Sequence, residues 1–171
     1  MRYNKIRKMD IANGPGVRVS IFFQGCAFHC KNCFNKETWD FNGGVEFTDD
    51  VIDQIIDLAK DDYICGLSIL GGEPMHPKNI EATTRLAKKF RETYPEKTIW
   101  AWSGFLFDEY TKDKEVSKYL DVIVDGQYID ELRNPKLKWK GSENQRVIDV
   151  QKSLKNEQIV LYEEEGELVN A

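Results

Sequence analysis

Three of the chain's four cysteines fall within eight residues, Cys26-Ala27-Phe28-His29-Cys30-Lys31-Asn32-Cys33. This C-x3-C-x2-C spacing lets one short loop wrap three thiolates round a single metal centre. A closed zinc site takes four protein ligands, and an ordinary ferredoxin-type cluster takes four cysteines. Three thiolates therefore leave a vacancy. In a four-iron cluster the vacancy is an iron free to bind a reactant. In a zinc site it would be filled by His29, His76 or Cys65. His29 directly precedes Cys30 and would have to bend back to the same ion, and the rest of the chain offers no second ligand pair. Cys65 lies in the apolar stretch Tyr63 to Leu70 and reads as a buried strand residue, because free cysteine behaves as a small hydrophobe.

The residues around the triplet predict where it sits. Val17-Arg-Val-Ser-Ile-Phe-Phe23 is β-branched, aromatic and alternating, so it reads as a strand that ends at the cysteine loop. Beyond Gly43-Gly44, Thr48 caps a helix with Val51, Ile52, Ile55, Ile56 and Ala59 on one face. Three further strands are expected: Cys65 to Leu70, Thr98 to Trp102, and Leu120 to Asp125. A helix carrying Ile80, Thr83, Leu86, Ala87 and Phe90 lies between the first two, and a helical stretch carrying Phe105, Phe107 and Tyr110 between the last two. Val147 to Val150 reads as a further short strand.

Alternating strands and helices predict an α/β fold with a mainly parallel sheet. A complete eight-unit barrel takes about 250 residues, and the chain has 171, of which 41% are hydrophobic. The expectation is a single-domain open partial (β/α) barrel of about five or six strands. It should span residues 1–150, leaving 151–171, with its Glu163-Glu164-Glu165 run, as a tail of no assigned role.

In such sheets ligands bind beyond the carboxyl ends of the strands. The cysteine loop, Gly71-Gly72-Glu73-Pro74, Ser103-Gly104 and Asp125-Gly126 all follow predicted strands and should share one rim. Gly71 and Gly72 let the backbone approach a ligand closely. Pro74 holds Glu73 extended, so that its carboxylate could meet an ammonium group. Taken singly, Gly-Gly is a tight turn, Asn13-Gly14-Pro15-Gly16 another, Ser103-Gly104 and Asp125-Gly126 ordinary punctuation, and the polar run Trp139 to Arg146 a surface loop.

Together these residues resemble the radical S-adenosylmethionine (radical SAM) enzymes. The resemblance rests on C-x3-C-x2-C after a strand, the aromatic Phe34 after the third cysteine, and Gly-Gly-Glu-Pro after the next strand. More narrowly, the chain is similar to the family that activates anaerobic (class III) ribonucleotide reductases. Asp10 to Arg18, Gly25 to Trp39, Gly71 to Pro77, Ile99 to Gly104, Val122 to Gly126 and the Gly-Ser-x-Asn-Gln-Arg run at Gly141 to Arg146 carry that similarity. Leu70 stands where the family often has serine.

The resemblance implies that Cys26, Cys30 and Cys33 hold a [4Fe-4S] cluster whose fourth iron chelates S-adenosylmethionine. It implies that Asn32, Cys33 and Phe34 border the adenosine, and that Gly71, Gly72 and Glu73 receive the methionine ammonium. One electron from the reduced cluster would cleave the sulfonium to methionine and a 5'-deoxyadenosyl radical. That radical would take hydrogen from a glycine of the reductase large subunit. The resemblance also implies a one-electron reductant such as a flavodoxin or a thioredoxin-type system. Alternatives are an activase of another glycyl-radical enzyme, of the pyruvate formate-lyase type, a radical SAM enzyme acting on a small molecule, and a non-catalytic zinc-binding interaction module.

Charge and hydropathy bound the partners. A net charge of -5 argues against nucleic acid, and no run approaches the roughly 18 apolar residues of a membrane span. The charged start, Met1 to Lys8, has no signal-peptide core, and three clustered thiols are not a disulfide framework, so a reducing cytoplasm is expected.

Overall fold

The computed structural model describes residues 1–164. The strands are β1 (Arg2–Asp10), β2 (Val17–Phe23), β3 (Val45–Glu46), β4 (Ile64–Gly71), β5 (Thr98–Trp102), β6 (Val122–Asp125) and β7 (Arg146–Asp149). They form one sheet in the order β3-β1-β2-β4-β5-β6-β7. The central four, β2-β4-β5-β6, are parallel, while β1, β3 and β7 run antiparallel to their neighbours.

The period of two along each strand gives the sheet two unlike faces. Val19, Ile21 and Phe23 of β2, Leu67 and Ile69 of β4, Ile99 and Ala101 of β5, and Ile123 of β6 are buried in the larger core. Helices α1 (Asp49–Leu58) and α2 (Ile80–Thr93) supply Val51, Ile52, Ile55, Leu86, Ala87 and Phe90 to that core. Trp100, Val122 and Val124 form a smaller apolar cluster on the other face, covered by Trp102, Trp139, Val147 and Tyr162. Arg18 is wholly buried and lends its guanidinium to Ser68 Oγ (2.8 Å), to Thr98 Oγ1 and to the carbonyls of Leu67 and Thr98 (2.9 Å each). A further bond to the Pro15 carbonyl fastens the 13–16 turn over the base of the sheet. Burial lowers the pKa of Arg18 to about 10.

Four sequence expectations change. There are seven strands where about five or six were expected, because the charged start forms β1, in which only Asp10 is fully buried, and Val45–Glu46 form the two-residue β3 beside it. No α-helix joins β5 to β6. The 103–121 connection makes only 3-10 turns, at Thr111–Asp113 and Glu115–Lys118, and the side chains of Glu73, Ser103 and Asp125 accept from the amides of Gly104, Phe105 and Phe107 at its start. The domain does not stop at 150. Helix α3 (Val150–Asn156) follows β7, Leu161 bridges Ile148, and the Tyr162 ring meets Trp100 edge-on at 4.9 Å. Residues 165–171, and with them Glu165 and the end of the expected tail, lie outside the described residues. Finally, Cys65 is exposed, at the start of β4 beside the Gly16 backbone.

Candidate active site

Two strand ends lean on each other to build the site. The Gly72 amide donates to the Phe23 carbonyl (2.9 Å) and the Glu73 amide to the Gly25 carbonyl (2.8 Å), so the Gly-Gly-Glu turn is pinned to the approach of the cysteine loop. Gly71 has φ +109°, and a Cβ on Gly72 would come within 2.5 Å of the Gly25 carbonyl oxygen. Glycine is required at both. Asn79, buried at the head of α2, donates its side-chain amide to the carbonyls of Gln24 (3.2 Å), Gly25 (3.3 Å) and Glu73 (3.0 Å).

Above these turns lies a cavity of about 500 Å³. The four motifs that follow β2, β4, β5 and β6 all reach it: Cys26, Cys30 and Cys33; Gly71, Gly72 and Glu73; Ser103 and Gly104; and Gly126. Phe34 also lines it, although its ring is 72% exposed, with Arg133 over one face at 5.7 Å. Asn32 does not line the cavity. It has φ +57° and donates its amide to Asp130 Oδ2 at 2.8 Å, fastening the cysteine loop to the segment beyond β6.

The donor set fits an iron-sulfur cluster. Cys26, Cys30 and Cys33 are all half-buried free thiols on the cavity wall, and among the described residues no three His, Cys, Asp or Glu side chains converge on one ion. A cluster asks for such spread donors, since each thiolate meets its own iron. Burial pushes the Cys26 thiol up, and backbone amides of Phe28 and His29 partly offset this. Cys33 Sγ accepts from the Asn35 amide at 3.4 Å. Such bonds to sulfur tune a cluster. The candidate fourth zinc ligands are elsewhere: His29 stacks on Trp39 at 4.4 Å, His76 Nδ1 accepts from the Lys78 amide, and Cys65 is at the base of β4.

Glu73 turns inward, leaving 2% of its surface exposed. Its Oε1 accepts from the Met75 amide (2.9 Å) and Ser103 Oγ (2.8 Å), and its Oε2 from the Gly104 amide (2.7 Å). Desolvation outweighs these bonds and pushes its pKa up to about 7. Asp125, fully buried at the end of β6, reaches the same connection from the other side: its Oδ2 accepts from the Phe107 amide at 2.7 Å. Arg146 grips Asp125 through Nε to Oδ1 (3.0 Å) and a terminal nitrogen to Oδ2 (2.6 Å), and extends to Asp108. The Asp125 bond holds the guanidinium charged well above its ordinary pKa.

The Gly141-Ser-Glu-Asn-Gln-Arg146 run forms the opposite wall. Gln145 Oε1 accepts from the amides of Gly141 (2.8 Å) and Ser142 (3.2 Å), while its Nε2 donates to the Gly126 carbonyl (2.9 Å). Trp139, at φ +67°, accepts at its carbonyl from the Trp102 indole (2.7 Å) and lines the cavity. Sequence reasoning took Ser103-Gly104 and Asp125-Gly126 for punctuation when read singly and did not single out Asn79 at all. Their pairing with Glu73, Arg146 and the cysteine approach joins residues distant in sequence, and no local period announces it.

Residues 12–148 match the family described as a 4Fe-4S single cluster domain. The chain is 40% identical to the anaerobic ribonucleoside-triphosphate reductase-activating protein of Vibrio cholerae over 148 residues, covering 85% of this chain and 96% of that protein. It is 40% identical to the protein of the same name from Enterobacteria phage T4 over 147 residues, 86% of this chain and 93% of that one. With the Escherichia coli K12 protein of that name the identity is 40% over 150 residues, 86% and 97% of the two chains.

Proposed function

The chain belongs to the family of anaerobic ribonucleoside-triphosphate reductase-activating proteins, which carries a 4Fe-4S domain, and from that premise we propose that it uses S-adenosylmethionine to place a glycyl radical on such a reductase. The observation that carries this reading is the meeting, in one cavity, of three thiols with Gly71, Gly72 and Glu73. Cys26, Cys30 and Cys33 would hold the cluster, whose chemistry would be one-electron reduction of the sulfonium, breaking its C–S bond.

The protein's own part is positioning. Gly71 and Gly72 have no Cβ to collide with the backbone of Phe22, Phe23 and Gly25, so their turn packs flush on the cysteine approach and its backbone lines the cavity where the methionine end would lie. Glu73 spends three acceptor positions inside the protein and has no salt-bridge partner among the described residues, so an ammonium arriving at Oε2 would supply the charge that burial makes costly. Phe34 and Trp139 offer aromatic surface for adenosine, and Asn32 acts on that end indirectly by anchoring the cysteine loop to Asp130. In this reading the mixed sheet is an open partial barrel, with a parallel middle and the cavity at the ends of its strands. Among the described residues no helix is long and apolar enough to cross a membrane.

The test is anaerobic reconstitution. The protein takes up about four irons per chain, forms 5'-deoxyadenosine on reduction with dithionite, and gives a glycyl radical signal by electron paramagnetic resonance when the reductase is added. Changing Cys26, Cys30 or Cys33 to Ala removes the cluster. Retained zinc with no iron uptake, or intact S-adenosylmethionine after reduction, sinks the reading. A signal on pyruvate formate-lyase but not on the reductase would reassign the partner.

A further inference from the structure

The two margins of the sheet are finished differently. Along β7 the Asp149 amide donates to the Val160 carbonyl and the Tyr162 amide to the Val147 carbonyl, both at 2.9 Å, so the 160–162 segment covers that side. Along β1, β3 pairs only with Arg2 and Tyr3. From Asn4 to Asp10 the outer edge of β1 meets no other strand among the described residues. An unpaired row of N–H and C=O groups is a template for one more extended chain.

A second observation concerns charge on the same strand. Lys5 and Arg7, two residues apart, hold their cationic groups 4.9 and 5.0 Å from the Phe22 ring. Phe22 and Arg7 both line the cavity, and Lys5 lies over the same Phe22 ring. Arg2 is occupied by the carbonyls of Gly43 and Gly44, and Lys8 pairs with Asp61 at 3.5 Å. Neither Lys5 nor Arg7 is in a salt bridge among the described residues. Asp10, the acidic group on their own strand, is held by the Ala12 amide and the Asn13 side chain. Two cations in no salt bridge among the described residues thus sit on the strand with the unpaired backbone edge, Arg7 lining the cavity and feeling the Asp10 carboxylate, in a chain of net charge -5.

We propose that β1 is the docking strand for an extended, acidic segment of the target reductase, which pairs with its free edge and sets carboxylates against Lys5 and Arg7. The inference rests on the reading above that the target is a protein. Attraction of this kind acts mainly on encounter and is screened by salt.

The experiment measures binding of the purified reductase to the reconstituted protein across a salt series, for the unaltered chain and for the double variant Lys5→Glu, Arg7→Glu. Iron content and melting temperature serve to establish folding. At low salt the variant's affinity falls about tenfold or more and its salt dependence flattens, while Lys5→Arg, Arg7→Lys restores both. Backbone amides between Asn4 and Met9 gain protection from hydrogen exchange when the reductase is bound. Equal affinity and salt slope in the charge-reversed variant, with β1 unprotected in the complex, would overturn the proposal and leave the cations as guards of the edge. So would weakened binding of S-adenosylmethionine with reductase binding intact. If the unaltered protein cleaves S-adenosylmethionine and radicalises the reductase while these readouts fail, only the docking strand is lost. If it cleaves none, the functional reading itself has failed.

Discussion

Glu73 and Asp125 flank the Ser103–Phe107 connection from opposite sides, each buried and each accepting from its backbone, yet only Asp125 has a guanidinium beside it. A buried carboxylate is expensive unless paired. Arg146 meets that cost at Asp125 from within the chain. At Glu73 the same connection is held by a carboxylate with no salt-bridge partner among the described residues, and that residue lines the cavity. One clamp is finished at folding. In the function proposed above the other is completed by the substrate's ammonium, which would tie the geometry of the rim to the presence of substrate.

The largest effect should come from breaking the finished clamp. Arg146→Ala leaves Asp125 buried and unpaired and costs about 3 kcal/mol of stability, read from the denaturant midpoint. A loss well under about 1 kcal/mol would mean that Asp125 does not depend on Arg146, and the contrast would collapse. Next is Asn79→Ala, which takes the side-chain donor from the Gln24, Gly25 and Glu73 carbonyls, the last two keeping the amides of Glu73 and His76, and costs about 2 kcal/mol without touching the Glu73 carboxylate.

Glu73→Gln separates the two roles. It keeps an acceptor but sets an NH2 group against one of the three donors, a loss of about 1 kcal/mol that removal of an unbalanced charge offsets. Affinity for S-adenosylmethionine, measured by equilibrium dialysis, falls about tenfold, equivalent to about 1.4 kcal/mol.

The pH dependence sharpens the point. The ordinary pKa of Glu73 is 4.5 and its folded value is about 7, so protonation favours the folded state. The cost of its ionisation is absent below 4.5, grows as pH rises, and is complete above about 7. An ammonium ligand favours the ionised form, so affinity rises with pH up to about 7 and binding releases a proton. Calorimetry in buffers of different ionisation enthalpy reads that proton, and Glu73→Gln abolishes it. The smallest effect is Cys65→Ala, which leaves iron content unchanged; loss of the cluster there would return Cys65 to the ligand set.

What the sequence made legible was local. Strands β2, β4, β5 and β6 and helices α1 and α2 announced themselves because burial on one or both faces imposes a period on their residues. The cysteine triplet and Gly71-Gly72-Glu73 were legible because spacing and the lack of a Cβ are themselves the signal. Strand β1 was missed because an edge strand that carries Lys5, Arg7 and Lys8 has no apolar run to betray it. The helix expected at Phe105, Phe107 and Tyr110 was misread for a related reason. Its aromatics pack together, with Phe105 stacked on Tyr110 at 4.2 Å, so their spacing reflects packing within a connection of 3-10 turns and not a helical period. Asn32 also holds Asp130, a contact 98 residues away along the chain that no local pattern announces.

The unequal margins of the sheet also limit how this molecule can aggregate. A sheet open on both sides can add strands without end and grow a fibre. Here residues 160–162 already occupy one side, so a second copy that pairs along β1 uses up the free edge of both molecules. Association through that strand stops at two. At high concentration, and without a target protein, misassembly by strand addition should give a closed pair rather than a filament.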